Sequence, residues 1–334
     1  MPSPPARLEE IETADYVCFD DVVSEFFERH PKVTVTADIA AESHLGNVRA
    51  NNEDHFLVVR RLRGREVLMT SLPRESLPKN DDHAYTLAVA DGMGGRDFGE
   101  LAAFLALKTG WVLGEAEIKW AVRMNDRESD ELRRKAEVFF RLIHRVLKEM
   151  ARQNPQMQGM GTTLTLAYST GPELFVVHAG DSRAYLHRDG KLQRLTKDHT
   201  MAQLLIDSGM AEPGSDLAKR TKRVLTNCLG AGDLSVEVDF IQQDLADGDR
   251  LLLCTDGLTD LVDESQILRI LESNPDSKNA ALALIQAALD KGGRDNVTAV
   301  VARYSILPDD REATGLTEIL MPVLKSEKKP RQLR

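Results

Sequence analysis

The stretch Thr86-Leu-Ala-Val-Ala-Asp-Gly-Met-Gly-Gly95 decides how this chain is read. Residues 86–90 form a short apolar run that predicts a buried strand, and the run stops on Asp91 followed by glycine. A carboxylate leaving a buried strand stays ionised only if something cationic meets it, because desolvating it bare costs several kcal/mol. Three more acids adjoin apolar runs in the same way: Asp181 in Ala179-Gly-Asp-Ser-Arg183, Asp256 in Cys254-Thr-Asp-Gly-Leu258, and Asp295 in Gly292-Gly-Arg-Asp-Asn-Val-Thr298. A lone Asp-Gly is ordinary turn chemistry. Four such acids, with few bases nearby, point instead to one shared cationic partner. Carboxylates without histidine or cysteine make an all-oxygen site, which suits magnesium or manganese rather than zinc. Glycine beside the acid lets a carbonyl or a phosphate come close.

Working outward, strands are predicted at Val33–Ile39, His55–Leu62, Glu66–Met69 and Thr86–Ala90, with Gly64–His83 a loop-like insertion. Helical spacing then appears in Phe98, Leu101, Ala102, Leu105 and Ala106, in a helix extending to about Trp120. It returns in Leu132, Ala136, Phe139, Phe140, Ile143, Val146, Leu147 and Met150. Further strands are expected at 162–169, 174–179, 182–187, 191–194, 235–242, 250–254 and 296–304, with Asp189-Gly190 as a hairpin turn. Helices are expected at about 200–208, 263–272 and 277–291, with Asp198 read as the cap of the first. His44 and His178 are assigned to packing or surface. Blocks of strands separated by helix pairs argue for an α+β fold of antiparallel sheets with helices outside.

The chain has 334 residues and 42% hydrophobic content, enough for a buried core, and a net charge of -10, which disfavours nucleic acid and anionic membranes. No apolar run approaches the roughly 20 residues of a membrane span, and no signal-peptide pattern opens the chain, so a cytoplasmic protein is expected. Cys18, Cys228 and Cys254 form no C-x-x-C pair, and none has arginine six positions later, which excludes the thiolate chemistry of cysteine phosphatases. Residues 9–28 carry eight acids and no base, with a docked helix over about Asp20–Arg29 one reading and a solvated flank the other; Lys325–Arg334 is mainly basic.

Six motifs occur together in order: Arg49-Ala-Asn-Asn-Glu-Asp54, Asp91-Gly-Met-Gly-Gly95, Met160-Gly-Thr-Thr-Leu164, Gly180-Asp-Ser-Arg183, Asp256-Gly-Leu-Thr-Asp260 and Asp295-Asn-Val-Thr298. Over about residues 36–305 the chain thereby resembles the PP2C (PPM) serine/threonine protein phosphatases, especially bacterial ones. The resemblance implies an α-β-β-α sandwich over 33–305, flanked by extensions 1–32 and 306–334, with a binuclear metal centre at one end. It implies that Asp91 bridges two Mg2+ or Mn2+ ions, with Asp256 and Asp295 completing one site and Glu53, Asp54 and the Gly92 carbonyl the other. Asp181 with Asp256 resembles a third, weaker metal position. Arg49 matches the arginine that holds the substrate phosphate, a bidentate contact that lysine does not reproduce. Residues 201–232 correspond to a flap near the site.

The implied reaction is attack of a water shared by two cations about 3.5–4 Å apart on a phosphoserine or phosphothreonine, with Arg49, Asp91 and Asp256 as the catalytic set. Met93 stands where some members carry a histidine acid, so a metal-bound water takes that role here. Expected partners are phosphoproteins and an opposing Ser/Thr kinase, and a monomer is expected. The alternatives are a phosphatase dedicated to one regulatory protein of the anti-sigma-antagonist kind, another two-metal phosphodiesterase or nuclease, and a non-catalytic binding protein of the same fold.

Overall fold

In the computed structural model the run at residues 86–90 belongs to a longer strand, Asp82–Met93, whose successive side chains point to opposite faces. Ala88 and Ala90 pack with helices on one face. Leu87 and Val89, equally buried, face the other way, and Asp91 shares their parity.

The structure describes residues 16–18, 33–63, 69, 82–94, 98–117, 126–232, 235–308 and 320–322. They fall into two units. In one, β1 (Tyr16–Cys18) pairs antiparallel with β13 (Leu320–Pro322), Val17 opposite Met321. The other holds β2 (Val33–His44), β3 (Asp54–Arg63), β4 (Asp82–Met93), α1 (Phe98–Glu117), α2 (Asp126–Gln153), β5 (Gly161–Thr162), β6 (Leu164–Thr170), β7 (Glu173–Ala179), β8 (Arg183–Arg188) and β9 (Lys191–Arg194). It continues through α3 (Met201–Asp207), α4 (Asp216–Thr221), β10 (Asp239–Asp244), β11 (Arg250–Cys254), α5 (Asp256–Thr259), α6 (Glu264–Ser273), α7 (Ser277–Asp290) and β12 (Val297–Pro308).

One antiparallel sheet runs β10-β7-β6-β4-β3, with β5 also paired to β4; the second runs β2-β12-β11-β8-β9. Ala102, Ala103 and Ala106 of α1 and Phe140, Ile143 and Leu147 of α2 cover the outer face of the first sheet. Leu258, Ile267, Leu271, Ala280, Leu284 and Ala288 of α5 to α7 cover that of the second, over Leu252, Cys254, Val297, Ala299 and Val301. The inner faces meet where Tyr304 of β12 hydrogen-bonds Ser169 of β6 at 3.2 Å and stacks edge-on to Tyr85 of β4. This is the α-β-β-α sandwich. The β8–β9 hairpin turns at Asp189 (φ 50°) and Gly190 (φ 70°), the pair of left-handed residues that a two-residue turn requires.

Several expectations are corrected. The strand expected from Ser235 begins only at Asp239, because Asn227 occupies the backbone of Glu237 instead, accepting from its N–H (3.2 Å) and donating to its carbonyl (2.8 Å). Thr200, not Asp198, caps α3 by accepting from Gln203 N–H. Asp198 is drawn away by two guanidinium groups, those of Arg183 (2.7 and 3.0 Å) and Arg194. The flap contains a second helix, α4, and Asp256 opens the one-turn helix α5. The Asp20–Arg29 segment, residues 66–68 of the expected strand, most of the 64–83 insertion, the helix extension to Trp120, Gly95 and the basic tail lie outside the described residues.

Candidate active site

Antiparallel register places Asp54 at the start of β3 directly opposite Asp91 on β4. Directly opposed residues project to the same face, and like charges so placed repel. By parity that face is the inner one, and Thr298 of β12 confirms it, since its hydroxyl donates to Asp54 Oδ2 at 2.8 Å from the other sheet. Thr255 donates to the same oxygen at 2.8 Å. Asp54 Oδ1, fully buried, has no hydrogen-bond partner. Burial first, and then Asp256 and Asp295, push the Asp54 carboxyl up to about 7 despite those two hydroxyls.

The loops between strands bring in the rest. Asp91 is clamped through its backbone: its N–H donates to Thr163 Oγ1 (3.0 Å), and its carbonyl accepts from Thr163 N–H (2.9 Å) and Thr162 Oγ1 (2.8 Å). Thr163 shares a 2.8 Å hydrogen bond with Ser182, beside Asp181. The Met160-Gly-Thr-Thr-Leu164 motif is thus a splint between two acids. Asn296 ties down the opposite wall, accepting from Glu53 N–H (2.8 Å) and donating to the carbonyls of Leu45 (2.9 Å) and Asn51 (2.8 Å). At Gly92 an added Cβ would lie 2.1 Å from the Gly99 carbonyl oxygen and 2.8 Å from that of Glu53, so only glycine lets β4 pass between α1 and the Glu53 loop.

The result is one cavity of about 510 Å³ lined by Arg49, Glu53, Asp91, Gly92, Asp181, Asp256 and Asp295, with Asp54 sealed beside Asp91. Every site residue singled out from the sequence is therefore in one place. Asn51, Met93, Gly94, Thr163, Arg223, Leu225 and Asn296 also line it. Of these, Asn51, Met93, Gly94, Thr163 and Asn296 lay inside recognised motifs, whereas Arg223 and Leu225 lay in the flap stretch with nothing to mark them individually.

Desolvation raises Asp91 well above the usual carboxylate range, with Asp54, Asp256, Asp181 and Asp295 adding to it. Asp181 is raised by burial and by Asp256. Asp256 is pushed up to about 6 by burial, then by Asp260 and Asp295. Asp295 differs in having a cationic partner, Arg49 Nη2 at 2.8 Å.

The donors fit hard divalent cations on three observations. The cavity offers carboxylate and carbonyl oxygens and, among the described residues, no histidine or cysteine. Its acids repel one another across β3 and β4. Asp54 keeps an unpartnered buried oxygen. As it stands, no group of three acidic, histidine or cysteine side chains among the described residues is arranged to hold a metal ion.

Comparison with known proteins follows the same line. A family model described as protein phosphatase 2C matches residues 74–277. The serine/threonine protein phosphatase PstP of Mycobacterium tuberculosis is 35% identical over 271 residues, 81% of this chain and 46% of that protein, so the chain spans about half the length of this relative. The serine/threonine phosphatase stp of Listeria monocytogenes is 31% identical over 239 residues, 71% of this chain and 91% of that one. A solved structure of the catalytic domain of PstP in complex with 2 manganese ions matches with a TM-score of 0.63 at 33% identity, covering 81% of this chain and 100% of that one. No helix among the described residues is long and apolar enough to cross a membrane.

Proposed function

Because this chain belongs to the protein phosphatase 2C family, we propose that its carboxylate-lined cavity hydrolyses phosphoserine and phosphothreonine in proteins, in opposition to a Ser/Thr kinase. The observation that carries this is the convergence of Asp54, Asp91, Asp181 and Asp256 from four chain segments into one mutually repelling set. Asp91 would serve two divalent cations, magnesium or manganese, with Asp256 and Asp295 on one side and Glu53, Asp54 and the Gly92 carbonyl on the other. Asp181 with Asp256 would hold a third, more weakly. When bound, the cations supply Lewis acidity toward phosphoryl oxygens and make water nucleophilic at neutral pH.

The chain's own groups do the rest. Arg49 has a half-exposed side chain on the cavity wall and presents a planar guanidinium to the substrate phosphate once released from Asp295. It then neutralises charge on the equatorial oxygens as the transition state forms. The splint of Thr162 and Thr163 holds the backbone of Asp91, and the anchor of Asn296 holds that of Glu53. Met93 carries no titratable group, so protonation of the leaving oxygen does not come from that position.

Purified protein with manganese should release phosphate from a phosphothreonine peptide, and EDTA or Asp256→Asn should abolish release. Full activity in the variant would sink the assignment.

A further inference from the structure

Four of the five residues Lys219-Arg-Thr-Lys-Arg223 are basic, in a chain whose net charge is -10. They close α4 and form the turn after it, and all four basic residues are exposed. Their situations differ. Lys222 and Arg223 both pair with Asp260, at 2.8 and 3.0 Å, and Arg223 reaches the cavity wall. Lys219 and Arg220 have no carboxylate partner among the described residues. The acids of the same segment, Asp207, Glu212 and Asp216, all come earlier in it, and Asp207 is engaged by Lys197 at 2.6 Å.

The cluster is also held in place. Ser215 caps α4 by accepting from Ala218 N–H, and Ala218 is buried. Met201 N–H donates to the Val224 carbonyl (2.7 Å), Thr226 N–H to that of His199 (2.9 Å), and Thr162 and Leu229 exchange two backbone hydrogen bonds of 2.9 Å. Thr162 is the residue that holds the Asp91 carbonyl, so the flap is tied to the acid that anchors the site.

Arg223 lines the cavity, so residues flanking a phosphate bound there would pass near this turn. Arg220 lies three residues from Arg223, within about 10 Å along the chain, and about 10 Å is also the reach of three residues of extended peptide. The cavity lining is acidic, whereas the helix end three to four residues along the chain from Arg223 carries two cations with no carboxylate partner among the described residues. We propose that Lys219 and Arg220 form a subsite for acidic side chains, so that phosphosites with Asp or Glu two to four residues from the phosphorylated residue are preferred. This rests on the phosphatase reading above. Exposed charge pairs are individually weak and act over roughly 8–10 Å at physiological salt, so the preference amounts to about three- to tenfold.

The test compares kcat/KM with manganese for peptides sharing one central phosphothreonine and carrying acids on the N-terminal flank, acids on the C-terminal flank, or lysines on both. One acid-flanked peptide should exceed the lysine-flanked one by about three- to tenfold, with the ratio shrinking at high salt. The double variant Lys219→Glu with Arg220→Glu should lower kcat/KM for that peptide and raise it for the lysine-flanked one, an inversion that a merely misfolded flap cannot produce. Lys219→Arg with Arg220→Lys should keep the native ratio. A native ratio of one or less, or one that survives charge reversal, overturns the subsite while leaving the phosphatase reading intact. No phosphate release from any peptide overturns both.

Discussion

Replacing Asp256 by asparagine should stabilise the cation-free protein while destroying its activity. The Asp256 carboxyl is pushed up to about 6 by burial, Asp260 and Asp295, from an ordinary value of 3.8. In a sealed site a displacement of that size is worth roughly 3 kcal/mol against the ionised form. Asp256 opens on cavity water, and screening reduces the working figure to roughly 1–2 kcal/mol. The sign follows from proton binding. The folded value is raised, so the folded chain holds more protons than the unfolded chain between about pH 4 and about pH 6, and stability is lost as pH rises through that window. An amide does not bear this penalty. Against it stands the loss of a carboxylate in the first turn of α5, worth roughly 0.3–1 kcal/mol, which is smaller than the gain. In EDTA at pH 7.5 the variant should therefore melt about 1–5 °C above the native chain, and the gap should close near pH 4. In manganese the order should invert, because a cation at 100 times its Kd adds about 2.7 kcal/mol to a chain that binds it and less to one that has lost a ligand. Thermal melts in both buffers, with phosphate release measured in parallel, decide the matter. A variant that melts below the native chain in EDTA would refute the burial and repulsion argument, and one that gains as much from manganese would refute Asp256 as a cation ligand.

Arg49→Ala should raise KM about tenfold or more with a smaller effect on kcat, given that a charge-assisted contact is worth roughly 1.5–3 kcal/mol; steady-state kinetics showing an unchanged KM would return Arg49 to its pairing with Asp295 alone. Gly92→Ala should cost more than about 3 kcal/mol, because the new methyl meets two backbone oxygens at 2.1 and 2.8 Å, and a variant with native melting temperature would show that β4 and α1 are not so closely apposed. His178, pushed down to about 4 by burial and then by His199, binds its proton first in the unfolded chain, so it removes stability as pH falls from about 6.5 toward 4. His178→Gln should flatten that part of the pH profile relative to the native chain in urea titrations at pH 7.5 and 4.5, and parallel profiles would show that His178 does not titrate there.

Much of the fold could be read from local pattern. The apolar runs at residues 86–90 and 250–254 are strands, the 3.6-residue repeat from Leu132 to Met150 is α2, and Asp189-Gly190 turns a hairpin. What misled was side chains acting as backbone. Asn227 displaces the start of β10, and Asp198, spaced like a cap, is claimed by Arg183 and Arg194 from other strands. The candidate site was legible as residue types beside glycine, and its supports were legible as motif members but not in what they hold. Thr298 stands in a quoted motif and Thr255 beside Asp256, but that both donate to one buried carboxylate is seen only in the folded chain.

By itself the sequence determined that strands alternate, where they end, and that acids with few nearby bases stand at those ends. These are consequences of a period of two and of desolvation, both of which act within a few residues. Only the tertiary structure decided that Asp54 lies opposite Asp91, that Asp295 is met by Arg49, and that Arg223 of a cationic turn lines the same cavity as those acids. Register, sheet stacking and loop docking are set by contacts between residues tens to hundreds of positions apart. Electrostatics depends on distance in space, so the chemistry of these acids becomes definite only once the two sheets have closed on each other.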